Sequence, residues 1–203
     1  MRQFQHTFLV FATLAGLATV VAEPLSQSDR DLGVSSLSAS RKLFLDSVSG
    51  LSAAQANWKP APDKWSIAEV AEHIALAEGF IFQVVERSLQ APAKPAMENP
   101  RAADERLLTG VTDRSKKFQA PEPIQPGGKY ATVAETMAAF VQERDKHIDY
   151  LKETPDPLRE HFAPHPVIGE LDAFQWILLM SAHTERHVKQ IEEVKASPGY
   201  PSK

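Results

Sequence analysis

Apolar residues return at helical spacing in four stretches of this chain. Val34, Leu37, Phe44, Val48 and Leu51 step by three, four and seven. That spacing predicts a first helix over about 30–50, with Gly50 near its C-terminus. The second helix has a marked start. Ser66 followed three residues later by Glu69 forms a capping box, and Trp65 with Val70 forms a hydrophobic staple. Val70, Ile74, Ala77, Ile81 and Val84 then carry it to about Leu89. A third helix is predicted from Thr132, with Glu135 as its box partner, through Val133, Met137, Phe140, Val141, Ile148 and Leu151 to a stop at Thr154-Pro155. The fourth opens at Asp172 with Gln175 as partner and Leu171–Trp176 as staple, and runs to about Lys195.

No stretch alternates with period two among β-branched residues, so no strands are expected. Between the second and third helices, Ala91 to Tyr130 carries Pro92, Pro95, Pro100, Pro121, Pro123 and Pro126. A structureless loop of that length is unusual in a compact domain, and Ala102–Phe118 has the composition for a short helix inside it. Four helices with one long proline-rich connection predict an all-α four-helix bundle.

The N-terminus has a different pattern. Arg2 precedes an uncharged apolar run, Phe8–Ala22, that ends in Val20-Val21-Ala22 before Glu23-Pro24. As a helix the run rises only about 22 Å, short of the roughly 30 Å hydrocarbon core. This is the pattern of a secretory signal peptide, residues 1–22, cut after Ala22. It leaves 23–203 as a single domain, exported to the periplasm or beyond, with no stable membrane span.

Composition narrows the chemistry. The 203 residues carry a formal charge of −4 with no dense basic run, so nucleic acid is not an expected partner. With no cysteine, disulfides, thiolate metal sites and a cysteine nucleophile are excluded. A metal would have to be held by nitrogen and oxygen, and seven histidines supply the nitrogen. There is no phosphate-binding glycine loop and no GxSxG elbow.

His183 and His187 are four apart and stack on one helix face. They lie on the apolar stripe itself, Trp176, Met180, His183, His187, Ile191 and Val194, and so point into the bundle. His73 sits three after Val70 and four before Ala77, beside the buried stripe of the second helix. Three neutral imidazoles suit Zn²⁺, Ni²⁺ or Fe²⁺ with positions left open for water or substrate. Hydrogen-bonded core histidines are the ordinary alternative for such a pattern. His147 keeps stripe spacing on the third helix but stands alone there. His161 and His165 lie in a proline-punctuated loop. Glu185 falls on the outer face, while Gln190, seven after His183, projects from the same side as the pair.

The segment Trp58–His73, the Leu171–Trp176 stretch and the run from His183 to Gln190 together resemble the DinB-like (YfiT-like) superfamily, as do the Gly50-Leu51-Ser52 turn, the His165-Pro166 pair and the final Gly199-Tyr200-Pro201. The resemblance covers the chain from about residue 30 to Pro201. It implies a four-helix bundle whose divalent metal is held by His73, His183 and His187. Family members include thiol-dependent S-transferases and a thiol-dependent maleylpyruvate isomerase, and dimers are common, so a homodimer is one expected assembly. Two functional classes stay open. One is a metalloenzyme, a hydrolase or group (thiol) transferase acting on a small molecule. The other is a non-catalytic metal-binding or stress-related interaction protein, in which a fourth protein ligand would close the site.

Overall fold

The computed structural model describes residues 24–202; the predicted signal peptide lies outside them. Four long helices form the bundle: α1 (Gln27–Val48), α3 (Ile67–Ser88), α5 (Val133–Glu153) and α6 (Ala173–Lys195). Two short helices, α2 (Ala53–Asn57) and α4 (Pro100–Thr112), and a 3-10 turn at Glu122–Ile124 occupy the connections. Helix α1 packs on α5 and α6, and α3 packs on those same two helices. Chain neighbours α1 and α3 therefore stand on one diagonal of the bundle, and α5 and α6 on the other. The expected all-α bundle is present, in a topology that needs long crossovers.

The helix starts follow the capping residues. Ser66 accepts from the Glu69 N–H while the Glu69 carboxylate accepts from the Ser66 N–H, and Asp172 and Gln175 do the same for α6. At α5 the exchange is incomplete. Thr132 accepts from the Glu135 N–H, but the Glu135 carboxylate accepts from Ala131 instead. On α3 the buried position expected for Val84 is taken by Val85, a one-residue error in phase. Helix α4 falls inside the proline-rich connection, where Pro100 at its first turn lacks the N–H that would be unsatisfied there.

The expectation of no strands fails. Phe162–His165 and Gly169–Asp172 pair as an antiparallel hairpin, with Phe162 opposite Asp172 and His165 opposite Gly169. Each strand has four residues, and one contains Pro164, so neither carries an alternating β-branched pattern. The pairing is set by tertiary contacts: the indole N–H of Trp176 donates to the Ala163 carbonyl at 3.2 Å, and the Ala173 N–H donates to His161 at 2.8 Å. The hairpin delivers Asp172 as the cap of α6 and thereby fixes the register of the helix that carries two candidate ligands.

Two apolar clusters fill the bundle. One includes Leu37, Ala77, Leu151, Phe174 and Ile177; the other includes Phe44, Val70, Ile74, Phe140 and Ile191. Close approach of α1 to its neighbours depends on Gly33, where a Cβ would lie 2.4 Å from Leu151 Cδ2. Arg144 touches both clusters and is fully buried. Its guanidinium lies 4.8 Å from the Phe140 ring centroid and binds Glu78 through Nε and Nη2 at 2.5 and 2.7 Å. It also donates to the Leu37 carbonyl, Ser40 Oγ, Thr184 Oγ1 and the Met180 carbonyl. One side chain thus joins all four helices. Burial pushes the Glu78 carboxyl up, and the charge and hydrogen bonds of Arg144 more than reverse that, leaving it below its ordinary value. Among the described residues no helix is long and apolar enough to cross a membrane.

Candidate metal centre

Helices α3 and α6 are neighbours, and where they face each other His73, His183 and His187 converge. His73 Nε2 lies 3.1 Å from His183 Nε2 and 3.1 Å from His187 Nε2. The three rings pack edge to face or tilted, with centroids 4.4–4.9 Å apart. His73 is buried and His183 keeps partial exposure.

The protonation of two rings is fixed from outside. His73 Nδ1 lies 2.7 Å from the Ile124 carbonyl, which can only accept, so Nδ1 carries the proton. His187 Nδ1 lies 2.9 Å from Gln190 Oε1, an oxygen that also accepts from Arg114 Nη1 at 3.3 Å. A neutral imidazole protonated at Nδ1 has a bare lone pair at Nε2. Two such lone pairs then face each other at 3.1 Å, an arrangement that repels unless a cation lies between them.

Protonating the imidazoles is disfavoured. Burial lowers all three pKa values; in His183 the neighbouring His187 and His73 add to this, and in His187 the neighbouring His73 does. The donor set therefore fits a divalent transition metal. Imidazole–metal bonds of about 2.0–2.1 Å put neighbouring nitrogens about 3.0–3.4 Å apart, which brackets the separations observed. Among the described residues no further histidine or carboxylate joins the group.

The long connection shapes the site from behind. The Glu72 carboxylate accepts from the N–H groups of Gly127, Gly128 and Lys129 at 2.8–3.1 Å. Gly128, at φ +77°, supplies the left-handed conformation that lets successive N–H groups turn toward one carboxylate. This anchor holds the preceding Glu122–Ile124 turn against α3, where Ile124 meets His73. Trp65 packs its ring 5.1 Å from that of His73.

The other sequence candidates lie elsewhere. His147 is buried against Glu78, with Nδ1 3.3 Å from its carboxylate, and stacks on Phe82 at 4.1 Å. His165 Nδ1 accepts from the N–H groups of Val167 and Ile168 at the hairpin tip. His161 stands at the start of the hairpin, outside the cluster. Of the acidic residues near His73 in sequence, Glu69 is held by the cap and Lys59, Glu72 by the loop, and Glu78 by Arg144. Gln190 does reach the site.

Sequence reasoning missed Arg114, Glu72 as a loop anchor, and the Ile124 carbonyl. The last two act through backbone atoms forty or more residues away, which side-chain periodicity does not register. Arg144 left a sign: a charge within the stripe Phe140, Arg144, Ile148, Leu151.

A diagonal four-helix bundle with three histidines facing inward from two neighbouring helices defines a class. The family model of the DinB superfamily matches residues 36–191, and the chain belongs to that superfamily. It is 29% identical over 149 residues to the uncharacterized protein YuaE of Bacillus subtilis (strain 168), covering 73% of this chain and 88% of YuaE. Among solved structures it is similar to YfiT from Bacillus subtilis, described as "a probable metal-dependent hydrolase with an unusual four-helix bundle topology". That similarity has a TM-score of 0.58 at 15% identity, over 88% of this chain and 93% of YfiT. At that identity it shows a shared fold.

Proposed function

We propose that this chain binds one divalent transition metal, Zn²⁺, Ni²⁺ or Fe²⁺, through the Nε2 atoms of His73, His183 and His187, and acts as a metal-dependent hydrolase or group transferase on a small molecule. The observation that carries this reading is the meeting of three neutral imidazoles with, among the described residues, no fourth histidine or carboxylate beside them. The description of YfiT agrees with it. A metal so held lowers the pKa of bound water and polarises a bound carbonyl or thiol. The chain's own residues then have defined tasks. His73 and His187 present fixed lone pairs, Ile124 and Gln190 hold their tautomers, and Trp65 packs against the His73 ring. Glu69, Glu72 and Glu78 are engaged elsewhere and take no part in acid–base work at the site.

The test is a screen of the metal-loaded protein against activated esters, amides and small-thiol transfer substrates. Turnover should require metal and disappear in His187→Ala. Stoichiometric metal without turnover on any class would favour the non-catalytic reading.

We also propose that the chain is exported and loses Met1–Ala22, as the apolar run Phe8–Ala22 ending in Val-Val-Ala supports. Intact-mass measurement on protein from the native cell envelope should find Glu23 first; a chain beginning at Met1 would contradict export by cleavage.

A further inference from the structure

The three rings do not have equal outer support. His73 leans on a backbone carbonyl, which no side-chain change removes. His187 leans on a side-chain amide, and an amide has two faces. With its oxygen toward His187, Gln190 accepts a proton from Nδ1 and leaves Nε2 bare. With its NH₂ there, it would demand the opposite tautomer and place the proton on Nε2, blocking the ligand atom.

Something must select the oxygen, and Arg114 does. Its Nη1 donates to Gln190 Oε1 at 3.3 Å, and a flipped amide would turn NH₂ against guanidinium. Arg114 is itself held by Glu193, through Nε at 2.7 Å and Nη2 at 2.8 Å, and its side chain is only 14% exposed.

Arg114 lies two residues beyond the end of α4, in a segment fastened to α6 at the same level. Arg186 donates to the carbonyls of Val111, Asp113 and Lys116, and Lys189 donates to Thr112. The connection that the fold needs as a crossover thus also brings a cation to a ligand whose tautomer rests on a side-chain amide and not on the backbone.

We infer that Gln190 and Arg114 are positioning residues for the metal site: Gln190 holds the His187 ring, and Arg114 selects the amide face that keeps His187 Nε2 free to ligate. The inference rests on the metal-binding reading above. Such supporting partners are typically worth about 10–100-fold in metal affinity.

The experiment titrates the full chain and its variants with Co²⁺ alone, reading affinity and the visible d–d absorption, with the thermal midpoint of each metal-free variant as a check on folding. Gln190→Leu should bind about 10–100-fold more weakly with an altered band. Gln190→Glu presents oxygen on both faces and should restore affinity. Arg114→Met should weaken binding in the wild-type background and have no further effect in the Gln190→Glu background, where no face needs selecting. Wild-type affinity and absorption in both Gln190→Leu and Arg114→Met would overturn the inference. So would an equal loss from Arg114→Met in both backgrounds, which is what a merely structural role gives. Absence of Co²⁺ binding by the unaltered chain would instead overturn the metal reading itself.

Discussion

Arg144→Met should cost about 3–5 kcal/mol of folding stability, the range for breaking one side of a buried ion pair. Arg144 and Glu78 are 0% and 2% exposed, so the carboxylate left behind cannot recruit water without opening the bundle. Ser40 and Thr184 and the carbonyls of Leu37 and Met180 would also lose a donor. Against a total of about 5–15 kcal/mol for a typical domain, that loss brings the variant near unfolding. Arg144→Lys should recover little, since one ammonium cannot reach acceptors on four helices in a planar fork. The double variant Arg144→Met with Glu78→Leu should recover much of the loss by removing the orphaned charge. Urea unfolding of the three variants checks this. A cost under about 1 kcal/mol for Arg144→Met would mean that the buried pair does not hold the helices together.

The second large effect is on the metal and its pH dependence. His73→Ala should weaken metal binding by more than about tenfold and cut metal-induced stabilisation by at least about half. In the unaltered chain, metal at about 100 times its dissociation constant should add about 2.7 kcal/mol, or roughly 5–10 °C in melting temperature for a chain of this size.

The sign with pH follows from the direction of the shifts. All three imidazoles have folded-state pKa values below the ordinary 6.5. On lowering the pH through 6.5, the unfolded chain takes up protons that the folded chain refuses. The stability these groups contribute is therefore fully present above pH 6.5 and declines as the pH falls toward their folded values. Metal-free protein should lose stability over that interval. Metal should still be held as the pH passes 6.5 and leave only below it, because the folded ligands remain neutral there. Thermal melts with and without Zn²⁺ from pH 7.5 to 5 measure both. Release of the metal above pH 6.5 would contradict the neutral-imidazole account.

Much of this was legible in the chain because helices announce themselves locally. The Ser66/Glu69 and Asp172/Gln175 boxes fixed two starts, and the stripe containing His183 and His187 showed which way those rings point. His73 was legible for the same reason, one turn from Val70 and Ala77. What was hidden depends on contacts distant in sequence. The hairpin of Phe162–His165 with Gly169–Asp172 is bonded to the start of α6, and its four-residue strands contain proline and glycine where β-formers would be the local signal. The pinning of Gly127–Lys129 by Glu72 and the approach of Arg114 to Gln190 each span more than fifty residues. The diagonal placement of α1 and α3 was equally hidden, since amphipathic stripes show which face is buried and not which partner covers it.

The central claim is a metal held by three histidines with at least one position open. X-ray absorption on the Co²⁺- or Zn²⁺-loaded full chain, with and without added azide, tests it most directly. The account predicts one metal per chain, three imidazole nitrogens, and at least one light exchangeable ligand that azide displaces. A coordination sphere completed by a fourth protein side chain and unmoved by azide, or a chain that takes up no metal, would contradict it.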